Sequence, residues 1–274
     1  MKKTLNRSTF RFGCCLNMVA QTSDGVGTEA IPVLAENGYE FIELSLAHLT
    51  VLEGARRQEV LSRIHDSPIP CETCNNFFPA SYRLTGEQAD HEAALRHAER
   101  AVTLAASLGA EVIVFGSSGA RNVPKGFPVE QAWDQLQEFV NRMIPLLEEH
   151  RIRIAVEHLN RGESNIMTSF LEVVRFVREI NSPQVQSLFD VYHLDLEKES
   201  PEVILRGAGL IAHVHTADVT ARSWPTWPSQ IMESVFRLLR QIGYAGRISV
   251  EAATSDLPGD SRAALGYLRS LQDG

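Results

Sequence analysis

The chain has 274 residues, of which 44% are hydrophobic and 22% charged, and its formal net charge is −8 at pH 7. This composition excludes a disordered chain, a collagen-like repeat and a small disulfide-rich scaffold. The acidic balance disfavours nucleic acid and anionic membranes as partners. No apolar run reaches the ~18 residues of a membrane helix. The first residues include Lys2 and Lys3 with no apolar stretch behind them, which predicts no secretory signal.

The four cysteines are Cys14, Cys15, Cys71 and Cys74. Adjacent cysteines pair poorly, and so few thiols in a chain of this length indicate a reducing cytoplasm. Cys71-x-x-Cys74 has the spacing of a metal or redox motif, but it lies in an apolar run typical of a buried strand. No second such pair completes a zinc site. We therefore predict a cytoplasmic protein in which this pair is structural.

Short apolar runs, often β-branched, recur along the chain and predict strands. They are residues 10–16, 39–44, 69–75, 111–116, 152–157, 185–190, 210–215 and 247–252. Apolar residues at helical spacing separate most of them, most clearly over 91–108 and 129–147. Gly38, Gly109 and Gly243 each follow such a helix. Asp260 and Ser261 are expected to cap a last helix.

Eight strand–helix units with near-continuous apolar strands predict a parallel sheet covered by helices. The sequence predicts a closed (β/α)8 TIM barrel that forms a single domain over residues 1–274. An open, doubly wound sheet is the alternative, but its G-x-G-x-x-G fingerprint is missing.

Metal-ligand side chains stand at the predicted carboxyl ends of four consecutive strands, where barrels place their active sites. These residues are Glu157, Asp190, His215 and Glu251. Three neighbouring carboxylates repel one another unless a cation lies between them. We therefore predict one divalent metal ion, Mn²⁺ first, with Mg²⁺, Co²⁺ or Zn²⁺ as alternatives. His213 alternates with His215 and points the same way, so it is expected to contact the substrate or support the ligand.

Three motifs resemble those of a known family. They are EHLNRGE from Glu157 to Glu163, DVYH from Asp190 to His193, and His213-Val-His215. The chain resembles the sugar isomerase and epimerase superfamily with the xylose isomerase-like barrel, and its second half looks most like the ketose 3-epimerases. The similarity in layout covers essentially the whole chain.

The resemblance implies that Glu157, Asp190, His215 and Glu251 bind the metal. It further implies that Glu157 and Glu251 act as acid and base on a carbon next to a carbonyl. Glu163 and His193 would then bind substrate oxygens. The family often carries an arginine at the position of Ala221, and here Arg222 follows one residue later, so Arg222 is the expected substrate contact.

The loop after the fourth predicted strand is rich in glycine, and Arg121 within it is expected to contact a hydroxyl or carboxylate of the substrate. It is not a phosphate-binding P-loop, because G-x-x-x-x-G-K-[ST] is missing. Glu43, after the second strand, is expected to touch substrate or orient His48. Nothing after the last two strands resembles a phosphate site, so the substrate is expected to be an unphosphorylated sugar or polyol-ketone.

Other functions fit the same constellation. An inosose-type dehydratase begins with the same proton abstraction, and a hydroxypyruvate-type isomerase uses the same groups. An abasic-site endonuclease needs more metal ligands and a basic groove, which the net charge disfavours. A sugar-binding module has no need of two opposed glutamates. A homodimer or homotetramer is implied by the resemblance only.

Overall fold

A computed structural model describes residues 10–273 of the chain. In it, parallel strands pair in chain order, and the last pairs with the first to close a barrel. The predicted (β/α)8 barrel is therefore confirmed. The strands are β1 (Arg11–Cys15), β2 (Phe41–Ser45), β3 (Cys71–Asn75), β4 (Val112–Phe115), β5 (Arg153–Glu157), β6 (Val185–Asp190), β7 (Ile211–Thr216) and β8 (Arg247–Val250). Each of the eight predicted apolar runs coincides with one strand, although β2 and β7 extend one residue beyond their runs, to Ser45 and Thr216.

Helices surround the strands. They are α1 (Ile31–Asn37), α2 (Leu46–Leu49), α3 (Gly54–His65), α4 (His91–Ser107), α5 (Ser118–Arg121), α6 (Val129–His150), α7 (Phe170–Ile180), α8 (Val191–Leu196), α9 (Gln230–Gln241) and α10 (Leu257–Asp273), with 3-10 turns at Leu16–Met18, Thr28–Ala30 and Pro201–Gly207. The two clearest predicted helices correspond to α4 and α6. The predicted start of the last helix is wrong, because α10 begins before Asp260. The side chain of Asp256 accepts from the backbone N–H of Gly259 there instead.

The strands are buried on both faces because two apolar layers flank them. Val112, Val114, Ala155, Leu188 and Ala212 form a small cluster inside the barrel, separate from the large cluster between strands and helices. The interior also holds the ring of Phe41, which fits only because residue 13 is glycine. A Cβ at Gly13 would lie 2.3 Å from that ring. This double burial explains why the sequence shows continuous apolar runs instead of alternation.

Charged side chains close the amino-terminal end of the barrel. Glu72 accepts from Arg11 at 2.6 Å and also pairs with Arg247. A second carboxylate, Glu111, lies 2.7 Å from Arg247. Residues at this end of a TIM barrel contribute to stability, whereas the opposite end carries the chemistry.

Within the described part of the chain, no helix is both long enough and apolar enough to cross a membrane. The four cysteines are buried free thiols, and Cys71 and Cys74 both lie in β3.

Candidate active site

The side chains of the four predicted metal ligands converge at the carboxyl ends of β5 to β8. Glu157 and Asp190 are the last residues of β5 and β6, His215 lies in β7, and Glu251 directly follows β8. Nδ1 of His215 lies 3.2 Å from Glu157 Oε1, 3.2 Å from Glu251 Oε2 and 3.8 Å from Asp190 Oδ2. Four potential ligand atoms, one from each residue, all lie within 4.8 Å of one another.

The donor set fits a divalent ion. Asp190 Oδ1 accepts from the backbone N–H of His193 at 3.0 Å, which fixes the carboxylate. The other oxygen, Oδ2, is buried and has no hydrogen-bond partner among the described residues. Buried polar atoms normally have a partner, so an orphaned carboxylate oxygen aimed into a cluster of acids indicates a cation there. Oxygen ligands with one imidazole suit Mn²⁺, Mg²⁺ or Co²⁺.

The two glutamates of the cluster differ in their electrostatic surroundings. Burial raises the pKa of Glu157, although His215 bonds its carboxylate. Burial acts in the same direction on Glu251, but His215 and Arg222 outweigh it and hold the pKa of Glu251 below its ordinary value. The environments therefore separate the acid strengths of the two carboxyl groups.

Arg222 reaches the site through an unusual turn. Ala221 and Arg222 have φ values of 56° and 48°, in the left-handed region that non-glycine residues seldom occupy. The guanidinium bonds Glu251 through Nη2 and lies over the ring of Tyr192, 4.6 Å from its centroid. Its Nη1 is 3.7 Å from Glu163 Oε1. The one-residue displacement from the family pattern thus does not remove the arginine from the site.

His193 presents one ring nitrogen without a protein partner. Its Nδ1 accepts from the backbone N–H of Asn160 at 3.2 Å. A ring that accepts at Nδ1 carries its proton on Nε2 when it is neutral, and this Nε2 is buried without a hydrogen-bond partner among the described residues. The side chain of Asn160 also donates to Glu163 Oε1 at 2.8 Å. Both predicted substrate-binding residues therefore lie beside the cluster, held by one asparagine.

A cavity of about 370 Å³ opens over these groups. Its wall on the metal-ligand side includes Glu157, Glu163, His193, Arg222 and Glu251. Its opposite wall comes from the loops that follow the first four strands and includes Asn17, His48, Asn76, Phe78 and Ser117. Of these residues, Asn17 was not predicted at all, and Asn76 and Ser117 were not given individual roles. Their position directly after a predicted strand was the available signal.

Arg121 does not face this cavity. Its side chain is completely buried, with Nη1 donating to the carbonyl of Phe115 at 2.9 Å and Nη2 donating to the carbonyl of Glu157 at 2.7 Å. This position contradicts the prediction of a substrate contact. The arginine instead joins the ends of β4 and β5, because its guanidinium can bond both carbonyls at once.

His213 and Glu43 also lie below the cavity, inside the barrel. His213 Nε2 is 2.8 Å from Glu43 Oε2, and both side chains are fully buried. The predicted substrate contact of His213 is therefore contradicted. The expectation for Glu43 is wrong as well, because it lies within β2 and bonds His215 Nε2 at 2.9 Å instead of His48. The available signal for a contact of Glu43 inside the barrel was an acidic residue within a strand that is buried on both faces.

The closed barrel and the cluster at its carboxyl end define a TIM barrel with four residues that could hold a metal ion. The chain belongs to the xylose isomerase-like TIM barrel family, whose model matches residues 31–271. A D-psicose 3-epimerase from Agrobacterium fabrum (strain C58 / ATCC 33970) is 25% identical over 232 residues, covering 81% of this chain and 77% of that protein.

Two further comparisons extend this result. The 3-dehydro-D-guloside 4-epimerase of Escherichia coli (strain K12) is 25% identical over 231 residues, covering 78% of this chain and 84% of that protein. A solved structure of D-psicose 3-epimerase with D-tagatose from Clostridium cellulolyticum H10 superposes with a TM-score of 0.84 at 19% identity, covering 96% of this chain and 99% of that one. The superposition supports the shared fold.

Proposed function

We propose that this chain is a metal-dependent epimerase that inverts a hydroxyl-bearing carbon next to a ketone, with an unphosphorylated ketose as substrate. Curated relatives that are named as epimerases support this proposal. One observation carries the mechanistic proposal: two glutamates from different parts of the barrel, Glu157 and Glu251, both lie 3.2 Å from the same nitrogen of His215.

Glu157, Asp190, His215 and Glu251 would hold the ion, with Mn²⁺ as our first choice. When bound, the ion would act as a Lewis acid that stabilises negative charge developing on the substrate carbonyl oxygen. The orphaned Oδ2 of Asp190 supports this assignment, since no other group in the described residues satisfies it.

The chain's own residues would move the proton. One of the two glutamates takes the proton from the carbon next to the carbonyl, and the electron pair of that C–H bond moves toward the carbonyl. The other glutamate returns a proton to the opposite face of the same carbon. No atom is gained or lost overall, so the product is the epimer. Glu157 and Glu251 suit the two faces because they come from strands separated by β6 and β7.

Two further residues would orient the substrate, and a third would hold Glu251. The unpartnered Nε2–H of His193 can donate to a substrate oxygen, and Glu163 can accept from a hydroxyl. Arg222 keeps Glu251 ionised and in place by bonding it directly. Fixed positions for both reacting partners account for much of an enzyme's rate enhancement.

The cavity lining supports an unphosphorylated substrate. Among the described residues that line it, Arg222 is the one arginine or lysine, and it already bonds Glu251. The far wall carries neutral amides and a hydroxyl from Asn17, Asn76 and Ser117. Such groups bind sugar hydroxyls, whereas a phosphate needs cations or a cluster of backbone N–H donors.

A second candidate is epimerisation at C4 of a 3-keto sugar. The Escherichia coli relative named for this reaction aligns over 84% of its own length. The proton transfer would again occur next to a ketone, so the same residues would serve. Only the part of the substrate in the far half of the cavity would differ.

The test is conversion of a substrate panel by Mn²⁺-loaded protein, with products separated by chromatography. The panel contains D-psicose, D-fructose, D-tagatose, L-ribulose and 3-keto-D-glucosides. We expect one epimer pair to interconvert. Glu157→Gln and Glu251→Gln should each lower the rate by at least about 10²-fold, since each removes a proton-transfer group.

Glu72→Gln provides the matched control, because it alters a largely buried glutamate at the opposite end of the barrel and should retain activity. Loss of water from the product would move the assignment to a dehydratase. Retained activity in both glutamate variants would contradict the proposal. We also propose a cytoplasmic location, supported by four buried free thiols. A homodimer or homotetramer stays a prediction.

A further inference from the structure

Glu43 makes an unusual number of contacts for a carboxylate inside a barrel. Its Oε1 lies 2.9 Å from His215 Nε2, and its Oε2 lies 2.8 Å from His213 Nε2. Oε2 also accepts from Thr73 Oγ1 at 2.9 Å and from Ser249 Oγ at 2.7 Å. All five side chains are fully buried. Four neighbours from three other strands therefore surround one carboxylate.

These contacts assign the proton positions of the two imidazoles. An ionised carboxylate is an acceptor only, so each histidine must donate to Glu43 from its Nε2. For neutral His215, a proton on Nε2 leaves the lone pair on Nδ1. This is the nitrogen that faces Glu157 and Glu251 at 3.2 Å. Glu43 thus selects the tautomer of His215 that can bind a cation in the cluster.

Within residues 10–273, His215 has no comparable alternative hydrogen-bond partner at Nε2. Cys15 also contacts this nitrogen, but its Sγ lies at 3.8 Å and is a weak acceptor. His213 contributes from the other side by occupying Oε2, and its own Nδ1 is buried without a hydrogen-bond partner among the described residues. The orientation of the His215 ring therefore depends chiefly on Glu43.

We infer that Glu43 is a positioning residue for the metal centre, and that it holds His215 in the orientation and tautomer required for metal binding through Nδ1. The inference rests on the proposed function for the existence of that centre. A carboxylate that accepts from the far nitrogen of a ligating histidine also makes the ligand more basic, and removing such a partner typically weakens metal affinity by about 10–100-fold.

The test measures Mn²⁺ binding directly, by following the electron paramagnetic resonance signal of free Mn²⁺ during titration. Glu43→Gln keeps the size of the side chain, but its amide group offers a donor where both histidines also donate. We expect the Kd for Mn²⁺ to rise about 10–100-fold. Ser249→Ala removes one donor to Glu43 without changing charge, and we expect a smaller rise.

Glu72→Gln is the matched control, because it replaces another largely buried glutamate on a barrel strand, away from the cluster. Its Kd for Mn²⁺ should equal that of the wild type, even where its melting temperature falls. An unchanged Kd in Glu43→Gln, with tight binding by the wild type, would overturn this inference and leave the proposed function standing. Failure of the wild type to bind Mn²⁺ would overturn both.

A second measurement uses wild-type protein and so does not depend on whether a Glu43 variant folds. Nitrogen-15 NMR of Mg²⁺-loaded wild-type protein reports which ring nitrogen of His215 carries the proton, with His215→Gln used for assignment. We expect a protonated Nε2 and a metal-shifted Nδ1. A proton on Nδ1 would overturn the inference.

Discussion

Gly116 lies so close to Glu157 that a Cβ at residue 116 would stand 2.1 Å from Glu157 Oε2. Residue 116 directly follows β4, and Glu157 ends the neighbouring strand β5. Since real Cβ atoms do not approach an oxygen so closely, any larger residue at 116 must displace the carboxylate. The position of the Glu157 carboxylate therefore depends on the absence of a side chain at Gly116.

We expect Gly116→Ala to lower kcat/KM by about 10²-fold, because a shift of about 1 Å in a reacting group has an effect of that size. Steady-state kinetics with the substrate that the panel identifies checks this. Gly266→Ala is the matched control, since Gly266 lies in α10 with open space around it. It should keep full activity and stabilise the fold by roughly 0.5–1 kcal/mol. Equal kinetics for the two variants would contradict the close-contact argument.

Arg121→Met tests the role of Arg121 in joining the ends of β4 and β5. The variant loses two hydrogen bonds from a cation, each worth about 1.5–3 kcal/mol, but it also removes the cost of burying a guanidinium. That cost is evident in Arg121, where burial lowers the pKa to about 10. We expect the two effects to offset one another in the free energy of unfolding.

 In Arg121→Met, activity should respond more strongly than stability. The carbonyl oxygen of Glu157 accepts from Arg121 at 2.7 Å, so loss of the guanidinium loosens the backbone that carries this carboxylate. We expect kcat/KM to fall at least about tenfold, since small displacements of a reacting group are costly. Arg121→Lys should be only partly active, because one ammonium group reaches the two carbonyls less well than a planar guanidinium. Full activity in Arg121→Met, with both proteins assayed at the same interval below their melting temperatures, would refute the positioning role.

Replacement of Arg222 should change metal affinity and activity in opposite directions. Its cation bonds Glu251 and lies close to Glu163, so it competes with a metal ion for the same negative charge. We expect Arg222→Met to bind Mn²⁺ several-fold more tightly, because like charges near a site weaken cation binding. The same variant should lose activity, since Glu251 is no longer oriented. Titration calorimetry and kinetics check the two effects, and weaker Mn²⁺ binding would contradict the electrostatic argument.

His158 predicts a dependence of stability on pH. Burial among Phe170 and Phe189 lowers the pKa of His158 to about 3. Below the ordinary histidine value of about 6.5, the unfolded chain takes up a proton at this residue that the folded chain does not. Stability contributed by neutral His158 is therefore present above about pH 6.5 and is lost progressively as the pH falls toward about 3.

His158→Phe should remove this dependence while preserving a ring of similar shape. Other carboxyl groups also titrate in this range, so the informative quantity is the difference between the two proteins. Urea unfolding at about pH 6 and about pH 4 should give a wild-type loss that exceeds the variant's loss by roughly 1.4 kcal/mol per pH unit. Identical slopes would show that His158 is protonated in the folded state.

The sequence predicts the barrel well because strands buried on both faces appear as continuous apolar runs, and the helices between them show apolar residues at helical spacing. It also predicts the convergence of Glu157, Asp190, His215 and Glu251, since the carboxyl ends of consecutive barrel strands must meet. Contacts across the barrel are harder to predict. The contact of Glu43 with His215 joins residues 172 positions apart, and no local pattern indicates which interior residues face each other.

Arg121 shows a second limit of sequence analysis. An arginine in a glycine-rich loop is more often exposed than completely buried, so its bonds to two strand carbonyls could not be anticipated. Arg222 shows a third, because the left-handed turn at Ala221 and Arg222 alone brings the side chain to Glu251. In each case, the tertiary structure determines a side-chain direction that the local sequence leaves open.

Deuterium incorporation during turnover is the sharpest test of the proposed proton transfer. Mn²⁺-loaded protein is incubated in D₂O with the ketose that it converts, and the product is examined by mass spectrometry and NMR. We expect one deuterium on the inverted carbon next to the carbonyl, no loss of water, and no exchange in Glu157→Gln or Glu251→Gln. Inversion without any deuterium at that carbon would contradict proton transfer through solvent-exchangeable glutamates, and with it the proposed mechanism.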